Sequence, residues 1–250
     1  IHNLFHFDNS FFKISAKEAK SMDPQQRHLI ELTYECMRDA KISTEKFKGS
    51  NTGVFVGSCA TDYLAIMGEK SESVNEYSNT GGLLTLLSNR ISYFFDLTGP
   101  SLSLDTACSS SGYALHLACQ SLKNGESEQC FVAGANIILK PEGTIAFSQA
   151  TMLSPDGKCQ SFDANANGYV RSEGFVNILI KPLDKAIKDG NQIYCVIKNT
   201  GVNQDGKTPS ITMPNNEAQM NLLKELYSEE DIKKTLYVEA HGTGTIVGDK

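Results

Sequence analysis

The sequence predicts an α/β fold in which helices cover both faces of a β-sheet. Three observations predict it. Apolar runs such as "TGVFVG", "CFVAGANIIL" and "FVNILI" are short, nearly continuous and bounded by glycine, proline or polar residues, as strands buried on both faces are. Segments with helical periodicity separate them, and this alternation puts the helices on the sheet's faces. The 250 residues, 40% hydrophobic and 21% charged, suffice for one large domain or two small ones and need no disulfide staples.

The elements follow in order. "MDPQQRHLIELTYECMRDAKI" predicts a helix, with Asp23 as N-cap, Pro24 in the first position, and Leu29, Leu32, Cys36 and Ala40 on one apolar face. "TGVFVGSC" predicts a strand, "GGLLTLLSNRISYFF" a mostly buried helix, and "SLSLD" a strand leading into "TACSSSG". Next comes the helix "SSSGYALHLACQSLKNG", with Ala114, Leu117, Ala118 and Leu122 on one face and Asn124-Gly125 as its end. "CFVAGANIIL", "FVNILIKPL", "IYCVIKNTG" and "TLYVEAHG" predict further buried strands, and "NNEAQMNLLKEL" one more helix. No internal repeat, low-complexity tract or long linker interrupts them.

Composition narrows the function. The net charge is −6 and no Lys/Arg run interleaves with aromatics, which argues against nucleic acid as the main partner. No signal peptide or membrane-length apolar run is visible. The seven cysteines include no C-x-x-C pair, so no structural zinc site is expected. Cysteines other than Cys108 read as small buried hydrophobes in a reducing cytosol, and the expected location is cytoplasmic. The start without Met and the stop at "GDK" predict a fragment of a longer chain.

Cys108 is the candidate nucleophile. A strand ending at Asp105 and a helix beginning near Cys108 put its thiol at a tight strand-to-helix turn. Helix starts favour the thiolate, by up to about 2 kcal/mol in a partly buried geometry. Ser109, Ser110 and Ser111 lack the adjacent base that a serine nucleophile needs and lie outside any G-x-S-x-G elbow, so they are expected to cap the helix. His241, in "VEAHGTGT", ends a predicted strand and opens a glycine-rich loop, where α/β sheets place site residues. Thr243 and Thr245 add hydroxyls there, while "GTGTIVG" misses the dinucleotide-binding spacing. His116 and His28 read as core or helix-surface histidines. "DANANGYVRSEG" nearly matches a calcium loop, but its twelfth position is Gly174 and Glu173 comes one residue early, so a turn-rich loop with Asx-type bonds is expected.

"MDPQQR", "GPSLSLDTACSSS", "ALHLACQSLKNG", "FDANANGYVRSEG", "VNQDG" and "YVEAHGTGT", in this order from about Asn9 to Asp249, closely resemble the successive motifs of β-ketoacyl synthase domains, above all the ketosynthases of type I polyketide synthases. The resemblance implies a thiolase-like layered αβαβα fold with a mixed sheet, of which residues 1–235 would be the N-terminal half without its opening strand and 236–250 the start of the C-terminal half. It implies a homodimer, and an acyltransferase in which Cys108 takes an acyl chain that condenses, with decarboxylation, with malonyl on an acyl carrier protein, in polyketide or fatty-acid synthesis. His241 matches a catalytic histidine, Thr243 and Thr245 match threonines at the pantetheine arm, and the Cys108 N–H matches an oxyanion donor. No cofactor is implied for the domain itself, because phosphopantetheine arrives on the carrier. The partners implied are that carrier and acyl and malonyl thioesters, with no nucleic acid and no membrane. The family's second histidine, its lysine and its other oxyanion donor match nothing before Lys250. Gly112, Asn167 and Ala135 depart from the family's usual residues. The alternatives are a non-catalytic, at most dimerising remnant, and a degradative thiolase, against which the serine run and "HGTGT" argue.

Overall fold

The computed structural model describes residues 1, 3–69 and 74–249, and divides into two compact units. The first comprises Ile1–Leu139 and Glu173–Ile197, the second Lys140–Ser172 and Lys198–Lys250.

The first unit holds a four-stranded mixed sheet in the order β2-β1-β3-β4. β1 (Thr52–Gly57) runs parallel to β2 (Ser101–Leu104) and to β3 (Gln129–Asn136), with Val54 opposite Ser101 and Phe131. β4 (Gly174–Ile180) runs antiparallel to β3, with Val132 opposite Ile178. Alternate residues face opposite layers. Val54, Val56, Phe131, Ala133 and Ala135 pack against α2 (Pro24–Asp39) and α5 (Leu86–Phe95), through Leu29, Ile30, Met37, Leu87, Ile91 and Phe95. Phe55, Cys130, Val132 and Ile180 pack on the other face against α6 (Ser110–Lys123), through Ala114 and Ala118. Burial from both sides is why β1 and β3 read as continuous apolar runs.

Local chemistry sets the helix starts. Asp23 accepts from the Gln25 N–H at 2.8 Å, and Pro24 takes the first helical position. The face α2 buries is Leu29, Ile30, Thr33 and Met37, rotated from the expected one; Leu32, Cys36 and Ala40 are only half-buried. The "GGLLTLLSNRISYFF" segment is not one helix. Its glycines end α4 (Ser78–Gly82), the backbone turns extended at Leu83, and α5 then begins.

Within the first unit, α1 (Ala16–Ser21), α3 (Asp62–Gly68) and α8 (Leu183–Lys188) are too short to show a sequence period. The second unit contains α7 (Pro141–Gln149), α9 (Asn216–Leu226) and α10 (Glu229–Lys234). Here "VNQDG" fastens α9: the Asn203 amide donates to the Ala218 carbonyl at 2.7 Å, and the Asp205 carboxylate accepts from the Asn215 N–H at 3.2 Å.

Two predicted strands are absent. Residues 193–201 and 235–242 pair with no strand among the described residues, and Leu236, Tyr237 and Val238 are largely exposed. Their apolar pattern suits a strand, but a strand exists only against a hydrogen-bonded neighbour. No helix of the described residues is long and apolar enough to cross a membrane.

Candidate functional site

In the first unit, the site is the turn between β2 and α6. The chain leaves β2 at Leu104, passes Asp105 and Thr106, and reaches Ala107 in the left-handed region with φ 55°. A non-glycine residue there is uncommon and stores backbone strain. Cys108 follows, exposed, one residue before the N-cap position of α6, which Ser109 occupies; the helix proper begins at Ser110.

A set of hydrogen bonds holds this conformation. The Ala107 N–H donates to the Asp105 carboxylate at 2.8 Å. The Thr106 N–H donates to the Ser110 hydroxyl at 2.9 Å, and that hydroxyl donates to the Ala107 carbonyl at 2.6 Å. The Ser109 hydroxyl donates to the Thr106 carbonyl at 2.8 Å. Contrary to the expectation from sequence, the serines do not cap the helix through their side chains. Two of them bond backwards and brace the turn that presents the thiol.

The turn rests on the sheet through small residues. The face α6 turns to the sheet is Ser110, Ala114, Ala118 and Ser121, while Leu117 is exposed. Opposite them stand Gly57, at the end of β1, and Gly134, in β3. A Cβ on Gly57 would lie 2.4 Å from the Ser110 carbonyl carbon and the Ser111 nitrogen, and one on Gly134 would lie 3.1 Å from the Ser111 Cβ. In the sequence, Gly57 marks a strand boundary. A glycine inside a strand pattern is also the signal of close backbone approach.

The end of β1 is tied in turn to the buried start of α2. The Ser58 hydroxyl donates to Gln25 Oε1 at 2.8 Å, and Gln25 Nε2 donates to Asp23 and to the Ala60 carbonyl at 3.0 and 2.9 Å. Gln26 accepts from Arg90 Nε at 2.7 Å, and Arg90 Nη1 pairs with Glu18 at 2.6 Å. Burial raises Asp23 to about 6, against the pull of the Gln25 bonds and Arg27. "MDPQQR" thus forms a buried polar network behind the thiol-bearing turn.

The other candidates lie in the second unit. His241 is exposed, and Thr243 and Thr245 are half-buried with their hydroxyl oxygens 3.2 Å apart. Their loop is fastened to the "FDANANG" segment. Asp249 Oδ2 accepts from the N–H groups of Gly244 and Phe162, both at 2.9 Å, the Gly168 N–H donates to the Gly244 carbonyl at 3.0 Å, and the Ser161 hydroxyl donates to the Gly242 carbonyl. Gly244 is buried at φ 74°, and a Cβ there would lie 2.9 Å from the Gln160 nitrogen. Asp249 was not legible as a fastener, because its two partners are distant from one another in sequence.

The "DANANG" loop is held as expected by an Asx-type bond, the Asn165 N–H donating to Asp163 at 2.8 Å. Asn167 bridges Ser154 and Asp156, at 2.7 and 2.6 Å. Glu173 instead accepts from the Ile138 N–H at 2.9 Å in the first unit. His28 pairs with Glu31 at 3.3 Å, and His116 is half-buried on α6. The expectation of buried cysteines holds for Cys130, with Cys36 and Cys119 half-buried; Cys59, Cys159 and Cys195 are exposed. Burial pushes the Cys36 and Cys130 thiols up to about 11, so neither is a nucleophile.

An exposed thiol on a strained strand-to-helix turn suits attack on an activated acyl carbonyl. Comparison with known proteins gives the family. Residues 1–186 match the family described as the beta-ketoacyl synthase N-terminal domain, and residues 194–250 its C-terminal domain. The chain is 47% identical over 249 residues to the partially reducing polyketide synthase men1 of Menisporopsis theobromae, covering 99% of this chain and 10% of that protein. It is 49% identical over 245 residues to the highly reducing polyketide synthase cnsI of Penicillium expansum, covering 97% of this chain and 10% of that protein. Among solved structures, the ketosynthase from module 6 of the bacillaene synthase of Bacillus subtilis 168 superposes with a TM-score of 0.91 at 38% identity, over 100% of this chain and 43% of that one. The chain thus spans about a tenth of these curated relatives and under half of the solved ketosynthase. Thiol turn, mixed sheet and ordered motifs agree with these matches, and the chain belongs to the beta-ketoacyl synthase family, with the thiolase-like fold of the ketosynthases of polyketide synthases.

Proposed function

We propose that this chain supplies the acyl-accepting part of a ketosynthase in a polyketide-forming synthase. The Cys108 thiolate attacks the carbonyl of an acyl thioester carried by phosphopantetheine on an acyl carrier protein. The new S–C bond forms on Cys108 as the carrier's thiolate departs. Malonyl on the carrier then loses carbon dioxide, and the resulting enolate attacks the Cys108 thioester. A β-ketoacyl chain remains on the carrier, and the Cys108 thiolate is released.

In this scheme His241 donates to the oxygen that becomes negative in the enolate, a form of electrostatic stabilisation. Thr243 and Thr245 offer hydroxyls to the pantetheine arm, and the Cys108 N–H offers one donor to the thioester oxygen. The observation that carries the reading is the turn itself: an exposed cysteine placed by a left-handed Ala107 and held by two serine hydroxyls. The domain needs no resident cofactor for this chemistry, because the carrier brings the pantetheine.

The test is chain extension by the full-length parent protein, supplied with acyl and malonyl carrier protein. Cys108→Ala abolishes extension, and His241→Ala leaves Cys108 acylated but slows condensation by about 100-fold or more. Undiminished extension by Cys108→Ala overturns the proposal.

A further inference from the structure

The two glutamines of "MDPQQR" are adjacent and equally buried, with Gln25 0% and Gln26 1% exposed, yet their amides are tied to different parts of the first unit. Gln26 donates to the Thr80 and Gly81 carbonyls at 3.1 and 2.9 Å and accepts from Arg90. None of these partners belongs to β1 or β2. Gln25 instead grips the chain just beyond β1. Its Oε1 accepts from the Ser58 hydroxyl at 2.8 Å, and its Nε2 donates to the Ala60 carbonyl and the Asp23 carboxylate. Both N–H groups of the amide are thereby used. Asp23 also holds the Gln25 backbone N–H at 2.8 Å. The amide cannot swing or flip without leaving a buried polar group unpaired, which is costly.

Ser58 carries this constraint to the thiol. It follows the last residue of β1 and is itself buried, and its backbone N–H donates to the Leu104 carbonyl at 3.1 Å. Leu104 ends β2, and the next residue, Asp105, accepts from the Ala107 N–H immediately before Cys108. One hydrogen-bonded path therefore runs from the Gln25 amide through Ser58, Leu104 and Asp105 to the left-handed residue that presents the thiol. The close approach of Gly57, the neighbour of Ser58, to the Ser110 and Ser111 backbone is a second path to the same turn. All of these residues lie within the first unit.

Resting on the acyl-transfer reading above, we infer that Gln25 is a positioning residue for Cys108: its amide fixes the chain at the end of β1 and, through Ser58 and the Leu104 carbonyl, sets where the thiol stands. Gln25 does not touch the reacting atoms. Its effect falls on the rate of attack and not on the affinity for the thioester.

The experiment measures acylation of Cys108 in the full-length parent by acyl carrier protein loaded with a hexanoyl group, over a range of carrier concentrations. The melting temperature of each variant is measured alongside. Methionine is the unbranched apolar replacement for either glutamine. Gln25→Met is expected to lower the saturating rate at least ~10-fold and leave the half-saturating concentration within about 2-fold, since a misplacement of about 1 Å costs on the order of 100-fold. Gln26→Met, equally buried, is expected to melt earlier but, where it is folded, to acylate within about 2-fold of wild type, because its bonds lead away from the path. Ser58→Ala breaks the same path by removing one hydroxyl, and is expected to slow the saturating rate by ~3-fold or more; it decides the matter if Gln25→Met does not fold. Saturating rates like that of wild type in folded Gln25→Met or Ser58→Ala overturn the inference. So do equal losses in Gln25→Met and Gln26→Met, which assign both amides to stability. Absence of any adduct on wild-type Cys108 overturns the acyl-transfer reading itself, and the inference with it.

Discussion

Replacing Gly57 by alanine tests whether the sheet positions the thiol. The added Cβ would lie 2.4 Å from the Ser110 carbonyl carbon and 2.6 Å from its oxygen, all backbone atoms that no side-chain rotation can move away. Non-bonded carbons rest at about 3.5–4.0 Å, so β1 and the first turn of α6 must separate by roughly 1 Å. Overpacking of this kind costs about 1–3 kcal/mol of stability. The same displacement moves the turn that carries Cys108, and misplacing a reacting group by about 1 Å costs on the order of 100-fold in rate. The assay pairs thermal unfolding of the full-length parent with its rate of Cys108 acylation. Gly57→Ala is expected to lower both by these amounts. Gly134→Ala, whose Cβ approaches side-chain atoms only, the Ser111 Cβ at 3.1 Å and the Val176 Cγ1 at 3.3 Å, is expected to lower both less. If Gly57→Ala melts and acylates like wild type, the contact between β1 and α6 does not hold the site.

Three further outcomes follow from the same geometry. Asp23 is raised by burial to about 6 from 3.8, so the folded state keeps its proton to higher pH than the unfolded chain does, and the stability this proton brings is lost as pH rises from about 4 through 6; at roughly 1.36 kcal/mol per unit the change is about 3 kcal/mol, and Asp23→Asn, which keeps the cap acceptor, removes that slope from urea unfolding measured between pH 4 and 7. Ser110→Ala removes the bonds to the Thr106 N–H and the Ala107 carbonyl from a residue only 4% exposed, and is expected to cost about 1–3 kcal/mol in chemical denaturation and to slow acylation of Cys108. Asp249→Ala frees the Gly244 and Phe162 amides, whose hydrogen exchange should rise by about 10-fold or more, with Asp249→Asn restoring part of the protection.

Much of the fold was legible because it is local. Asp23-Pro24 announces α2, Asn124-Gly125 ends α6 with Gly125 at φ 73°, and β1, β2, β3 and β4 lie where apolar runs sit between turn residues. The candidate residues could also be found, since a cysteine at a strand end and a histidine opening a glycine loop are linear patterns. What sequence concealed depends on partners. The segments at 193–201 and 235–242 carry strand patterns, yet pairing is a property of two segments, and no described strand faces them. The bracing role of Ser109 and Ser110 was hidden because a serine before a helix ordinarily caps forward, and only the left-handed turn at Ala107 brings carbonyls behind them within reach. Of the face expected for α6, Ala114 and Ala118 lie on the sheet and Leu122 packs beside them, while Leu117 is exposed and Ser110 and Ser121 are buried instead, because the sheet accepts only small side chains opposite Gly57 and Gly134.

The central claim is that Cys108 alone carries the acyl chain. Four cysteines are exposed, namely Cys59, Cys108, Cys159 and Cys195, so the protein contains its own controls. Incubating the full-length parent with an acyl thioester, followed by peptide mass spectrometry without reductant, reports the occupancy of each. The account predicts an acyl mass on the Cys108 peptide and none on the other three. An unlabelled Cys108 in folded protein, or equal labelling of all four thiols, contradicts it.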